Sequence, residues 1–254
     1  MLLDSKGNKM VDQKKTHFGY KKISENEKAP KVEAVFNSVA EKYDLMNNLM
    51  SMGLHKVWKR MLIESASLKK NAKILDIASG TADLAIALSK KNRSFEIYQT
   101  DINLSMIKEG QKKIINNGIV MPSIACDAEA LPFPSNYFDC VTISFGLRNM
   151  TKKDCALKEI YRTLAPGGKL LILEFSEVYK PLRKLYDLYS FKLVPKLGKL
   201  FASDEESYKY LVESIRMHPN QEQLLNLMKE QGYKKTSFLN ITAGIVAIHK
   251  GFKF

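Results

Sequence analysis

Asp76, Gly80, Asp101, Asp127 and Ser144 stand where short apolar runs give way to small or polar turns. In a parallel sheet such points are the carboxyl ends of strands, where ligands bind. Gly80 lacks a Cβ, so a ligand can approach its backbone closely. Asp101 follows 21 positions later, the spacing at which a carboxylate reaches the diol of a ribose. Dinucleotide-binding turns share this geometry but need further glycines to bring a pyrophosphate onto the helix N-terminus. Here Ala78 and Ala82 occupy two of those positions, which a ribose-bearing ligand without phosphate at the turn tolerates. An ordinary tight strand–helix connection remains open for this segment taken alone. Cys126, Cys140 and Cys155 form no C-x-x-C pair, which argues against a disulfide framework and a structural zinc site; no metal is expected.

The elements that must position these residues follow a rhythm. Lys73 to Ile77 predicts a strand, Ala78 to Ala82 a turn and Asp83 to Lys90 a helix. A strand over Phe95 to Thr100, a helix over Ser105 to Asn116, and strands over Ser123 to Cys126 and Phe138 to Phe145 follow. A helix over Lys152 to Leu164 then leads to an apolar strand, Leu170 to Phe175. Such alternation implies right-handed crossovers and a parallel sheet covered on both faces. A helix over Gln221 to Gln231 and two strands, Lys235 to Asn240 and Gly244 to His249, close the chain, the strands as an antiparallel hairpin at the sheet edge.

The flanking segments differ. Residues 1–31 are polar and Lys-rich and are expected to be a flexible arm. From Val32 to Ser67, apolar residues at helical spacing, broken near Asn47 and Gly53, predict a helical lid over 32–70. A Lys- and aromatic-rich stretch from Tyr179 to Tyr210 marks an inserted cap over 176–215, within a single domain spanning 32–254. The chain of 254 residues is 45% hydrophobic, enough for one full core. It has no apolar run of the roughly 18 to 20 residues that cross a bilayer. Its start lacks a signal peptide's apolar core, and its first arginine is Arg60, unlike a transit peptide. The expected location is a bacterial cytoplasm, peripheral to the membrane's inner face. A net charge of +13 favours a polyanionic partner, nucleic acid or an anionic membrane, unless it is simply spread over solvated faces.

Four ordered segments carry a resemblance: Asp76 to Asp83, Asp101 to Met106, Asp127 to Phe133, and Leu164 to Gly168. Together they resemble the successive motifs of class I S-adenosylmethionine methyltransferases. That implies an α/β, Rossmann-like fold with a mostly parallel seven-stranded sheet, an antiparallel edge strand and helices on both faces. It also implies a site in which the Gly80–Thr81 turn, with Asp76 and Ser144 beside it, faces the methionine moiety. Asp101 would hold the ribose and Asp127 with Ala128 the adenine, with Ile102 also among the cofactor-binding residues. The chain departs from the pattern at Ala82, where many members have glycine.

The segment Tyr43 to Trp58 resembles the signature of the ubiquinone/menaquinone biosynthesis C-methyltransferases, the UbiE family. The likeness runs from Thr16 to Phe254, and Met10 is a second candidate start. It implies methylation of a ring carbon in a polyprenylated benzoquinol or in demethylmenaquinol. That chemistry requires the ring within about 3 to 3.5 Å of the methyl, stabilisation of phenolate charge, and removal of a ring proton. The resemblance places Arg148 and Asn149 beside the acceptor, Arg148 stabilising the phenolate and organising a water. Tyr43, Asp44, Asn47 and His55 would belong to the lid over the ring, Tyr43 and Asp44 as further catalytic candidates, with a plain helix-packing role open for His55. Trp58 and Met46, Met50 and Met52 are read as core, and His218 and His249 as structural. Implied partners are the polyprenyl quinol, transiently a membrane surface met by the basic and aromatic cap, and other quinone-pathway enzymes; a homodimer is open and no nucleic acid is expected. Competing readings are another small aromatic or lipid acceptor, RNA, or a scaffold that binds cofactor without chemistry.

Overall fold

The computed structural model describes residues 14–196, 199 and 204–254. Nine strands and nine helices are labelled in chain order among these residues. A hairpin, β1 (Lys15–Phe18) and β2 (Lys21–Ser24), leads into α1 (Glu25–Val39), α2 (Tyr43–Ser51) and α3 (His55–Ala66). The central unit is β3 (Lys73–Ile77), α4 (Asp83–Lys91), β4 (Glu96–Asp101), α5 (Leu104–Asn116), β5 (Ser123–Ala125), β6 (Phe138–Ser144), α6 (Lys153–Thr163) and β7 (Leu164–Phe175). Then come α7 (Lys180–Leu188), a π-helical turn (Tyr189–Leu193), α8 (Glu205–Arg216), α9 (Gln221–Glu230), β8 (Lys234–Ile241) and β9 (Val246–Phe252).

The seven-stranded sheet has the order β5-β4-β3-β6-β7-β9-β8. The first five of these strands run parallel, and β9 is reversed, inserted between β7 and β8 so that the edge beyond β7 is an antiparallel pair. From β3 the chain winds outward to β5 and then returns to lay β6 on the other side of β3. The crevice at the carboxyl ends of β3 and β6 is therefore the switch point where a ligand is expected.

Side-chain alternation explains why these runs are apolar throughout. Ile74, Leu171 and Leu173 join the core beneath α1 to α5 and α8, while Leu75, Ile77, Leu170 and Ile172 join the core beneath α6 and α9. Consecutive residues thus enter opposite cores, and no face of a central strand meets water.

One sequence expectation is corrected. The flexible arm over 1–31 does not hold from Lys15 onward; the part up to residue 13 lies outside the described residues. Phe18 stacks on Tyr210 with centroids 4.1 Å apart, a contact to a residue far along the chain that no local pattern announces. Ser24 and Glu27 form a capping box that starts α1 seven residues before Val32.

Candidate active site

A cleft of about 310 Å³ opens at the switch point. Its floor comes from the ends of β3, β4 and β6, and its roof from α1, through Ala29, Val32 and Phe36, and from Tyr43 at the start of α2. The first turns of α1, read in sequence as arm, are therefore part of the wall.

The turn after β3 is built from left-handed residues: Ala78 at φ 51°, Gly80 at φ 56° and Ala82 at φ 64°. Such a conformation costs a non-glycine residue roughly 1–2 kcal/mol. Hydrogen bonds hold it: Ser79 N–H donates to Thr100 O at 3.0 Å, and Gly80 N–H to Asp101 Oδ2 at 2.9 Å. A Cβ on Gly80 would lie 3.3 Å from Tyr43 Oη, so the bare backbone lets the tyrosine close over the turn. Similarly a Cβ on Gly146 would lie 2.4 Å from that of Ala78, forcing the ends of β3 and β6 apart.

Asp101 accepts at Oδ1 from Asn103 N–H at 2.9 Å as well as at Oδ2 from Gly80. Each oxygen keeps a further lone pair, the carboxylate lines the cleft, and this is the arrangement a vicinal diol requires. Burial pushes its pKa up, while the backbone donors at Asn103 and Gly80 oppose this. Ile102 and Ala128 offer apolar surface to the same cleft. Asp127 accepts from Glu129 N–H, and Glu129 in turn accepts from the N–H groups of Thr151 and Lys152, tying the loop after β5 to the segment after β6.

On the acceptor side Asn149 lines the cleft. Its Oδ1 accepts from Tyr210 Oη at 3.0 Å, leaving the amide N–H groups as donors. Tyr210 and its stacking partner Phe18 are thus supports that sequence reading missed. Lys28 was missed too: it is almost fully buried and donates to Met150 O at 3.2 Å behind the cleft wall, its pKa pushed down to about 8, mainly by burial. Tyr43 is a neutral phenol, its pKa raised by burial to about 12. Burial also raises Cys126, at the cleft's edge, to about 11, so it is a thiol and no nucleophile at neutral pH.

Other predicted residues are placed elsewhere. Arg148, 5% exposed, pairs with Glu174, 1% exposed, at 2.9 Å, and also donates to Phe145 O. It lines not the cleft but a smaller recess of about 10 Å³ behind it, together with Asn47, Ser51, His55, Phe145 and Phe175. Asp76 is buried in the sheet, where Oδ1 accepts from Thr142 Oγ1 at 2.7 Å and Oδ2 has no partner; burial raises it to about 7. Thr81 is buried and accepts from Lys113 Nζ, and Ser144 Oγ is buried without a partner. Asp44 faces an outer groove and pairs with Lys113 at 2.8 Å, away from the cleft.

Trp58 is core, its Nε1–H donating to Thr242 Oγ1 and its ring edge-on to Phe175. Met46 and Met50 are buried as read, but Met52 is exposed: it caps α2 in a left-handed conformation and points away from the core. The three cysteines are free, with Cys140 fully buried in β6. Among the described residues no cluster of three or more His, Cys, Asp or Glu is arranged to hold a metal ion.

A model of the ubiE/COQ5 methyltransferase family matches residues 22–253. A ubiquinone/menaquinone biosynthesis C-methyltransferase UbiE from Neisseria meningitidis serogroup A is 56% identical over 241 residues, covering 94% of this chain and 98% of the relative. The protein of the same name from Chromobacterium violaceum is 54% identical over 242 residues, covering 95% and 99%. Among solved structures, a SAM-dependent methyltransferase from Aquifex aeolicus superposes with a TM-score of 0.58 at 14% identity, covering 77% of this chain and 89% of that one. That similarity supports the fold.

Proposed function

The chain belongs to the ubiE/COQ5 methyltransferase family, and from that premise we infer that it is an S-adenosylmethionine-dependent C-methyltransferase acting on a polyprenylated quinol ring in ubiquinone or menaquinone biosynthesis. The observation that carries the reading is the Asp101 carboxylate, fixed by Gly80 and Asn103 and turned to the cleft at the switch point. Asp101 would hold the ribose hydroxyls, Ile102 and Ala128 the adenine faces, and the Gly80 turn the methionine end. When bound, the cofactor supplies an electrophilic methyl group on a sulfonium sulfur. Asn149 is the donor we assign to the ring oxygen, because it lines the cleft and its Oδ1 is taken by Tyr210, while the Arg148 guanidinium is committed to Glu174 and Phe145 O. Arg148 then acts from behind Phe145 through the recess rather than by touching the ring. Exclusion of water by α1 and Tyr43 strengthens these contacts.

The acceptor's tail needs an apolar route. No residue of α7 is buried, and Tyr179, Leu182, Leu185 and Leu188 are exposed beside Lys180, Arg183 and Lys184. This combination suits a helix lying in an anionic bilayer interface, and it is where we place transient membrane association. No helix among the described residues is long and apolar enough to cross a membrane.

The experiment is methyl transfer from labelled S-adenosylmethionine to short-chain benzoquinol and demethylmenaquinol, with the lipid-quinone profile of depleted cells by mass spectrometry. Label on a ring carbon and a precursor lacking one methyl are expected. An inert chain with an unchanged profile would overturn the assignment.

A further inference from the structure

We propose that His55 is a proton relay for the methylation, taking the displaced ring proton from the recess behind Phe145 and releasing it to the outer groove; this rests on the function proposed above. Four observations carry it.

The first is position. His55 lines both the recess, with Arg148 and Asn47, and the outer groove, with Asp44, Lys59 and Asp83. On its inner side the recess meets the cleft at Phe145, which lines both. Tyr43, in the cleft, hydrogen-bonds Asn47, in the recess. The recess has room for about one water molecule. Phe145 is thus a shared wall, and the path we assign passes beside it from acceptor to solvent through one water and one imidazole.

The second is the tautomer, which the hydrogen bonds decide. Ser51 Oγ lies 2.6 Å from Asn47 O. A carbonyl oxygen cannot donate, so at this distance the hydroxyl proton must lie between the two. Ser51 Oγ is then an acceptor toward both other neighbours, His55 N–H at 3.2 Å and His55 Nδ1 at 2.9 Å. Nδ1 must carry the ring proton, and Nε2 is left with a free lone pair.

The third is charge. Burial, reinforced by Lys59, pushes the His55 pKa down to about 4, with Asp83 and Asp44 opposing. The imidazole is neutral at physiological pH, able to accept a proton and quick to surrender it. A weak base suffices, because the methylated ring regains aromaticity as it loses the proton.

The fourth is the state of the other groups at the reacting face. Tyr43 is a neutral phenol, Cys126 a thiol and Arg148 a paired cation, and four of the carboxylates lining the cleft are engaged: Asp101 accepts from Gly80 and Asn103, Asp127 from Glu129 N–H, Glu129 from Thr151 and Lys152, and Glu25 pairs with Lys152.

The balance is simple. The ring carbon forms a bond to the methyl as the sulfur–methyl bond breaks and its electron pair stays on sulfur, giving S-adenosylhomocysteine. The carbon–hydrogen bond then breaks, its pair returns to the ring, and the proton passes through the water to Nε2 and out to the groove.

The test combines a spectroscopic and a kinetic readout. In the full chain labelled with ¹⁵N-histidine, and assigned with His55→Asn, His55 should show a protonated Nδ1 and an unprotonated Nε2 at neutral pH. The reverse tautomer would overturn the relay. His55→Asn keeps a donor for Ser51 Oγ but has no base, so kcat should fall by about a hundredfold. S-adenosylhomocysteine affinity should be unchanged, a primary isotope effect should appear with ring-deuterated quinol, and added imidazole should restore part of the rate. Ser51→Ala, which frees the tautomer, should give a smaller loss with the same isotope signature and serves if the first variant does not fold. Loss of activity without isotope effect or rescue would make His55 structural and overturn the proposal, as would wild-type kinetics. A wild-type chain inert on every quinol would instead sink the proposed function, and the relay with it.

Discussion

The backbone N–H of Gly80 donates to Asp101 Oδ2 at 2.9 Å, so the turn after β3 and the carboxylate ending β4 are one unit. Asp101→Asn keeps the shape but turns an N–H₂ toward one of the two backbone donors. A lost charge-assisted hydrogen bond and a clash of donors should weaken S-adenosylhomocysteine binding by about 2–3 kcal/mol, 30- to 150-fold. Calorimetric titration reads this; near-native affinity would remove Asp101 from the ribose site.

Asp76 gives a pH signature. Its pKa rises from an ordinary carboxyl value to about 7 because it is buried in the sheet with Oδ2 unpartnered. The folded state therefore prefers the neutral acid. Ionisation costs the fold nothing below about pH 4, progressively more between pH 4 and 7, and the full penalty above. Asp76→Asn should match wild type near pH 4 and exceed it at pH 8 by on the order of 3 kcal/mol. Urea denaturation at both pH values measures the difference; a gap that shrinks with rising pH would contradict the assignment.

Arg148 and Glu174 should be coupled. Removing one partner of a buried pair strands the other's charge, so Glu174→Ala should cost about 3–5 kcal/mol of stability. Arg148→Met with Glu174→Leu should recover much of that loss while leaving turnover low, since the recess loses its cation. A double-mutant cycle by chemical denaturation tests the pair; additive losses would show that the ion pair is not the cause.

Vesicle binding addresses α7. Neutralising Lys180, Arg183 and Lys184 to Gln should weaken binding to anionic vesicles by about 1 kcal/mol per charge, and Leu185→Asp should weaken binding to neutral ones as well. Sedimentation with vesicles of both compositions separates the terms. Unaltered binding in both variants would move the contact to another surface.

Ala82 sits buried at φ 64° at the N-cap of α4. Ala82→Val brings a β-branched side chain to a left-handed position and should cost on the order of 2 kcal/mol. Ala82→Gly should keep cofactor affinity. Thermal denaturation and calorimetry check both, and a stable valine variant would mean that the turn relaxes.

Much of the sheet is legible in the sequence because its strands are buried on both faces. Runs such as Ile74 to Ile77 and Leu170 to Leu173 read as strands whatever surrounds them. The acids and glycine closing those strands are legible for the same reason, since parallel topology brings carboxyl ends to one edge. What is lost is whatever depends on contact at long separation. The hairpin ahead of α1 reads as polar arm until Phe18 meets Tyr210, 192 residues later, and Asn149 acquires its support only from that meeting.

The sequence by itself determined the α/β order of elements, the switch-point position of Gly80 and Asp101, and the family likeness, because these rest on local periodicity and spacing. Only the tertiary structure decided which candidates face the cleft. Asp101, Asp127, Tyr43 and Asn149 do, while Asp76, Thr81 and Ser144 are buried beside it, Asp44 turns to the outer groove, and Arg148 backs onto the recess against Glu174. The physical reason is that a side chain's exposure and charge are set by neighbours from other elements, and those neighbours exist only once the chain has packed.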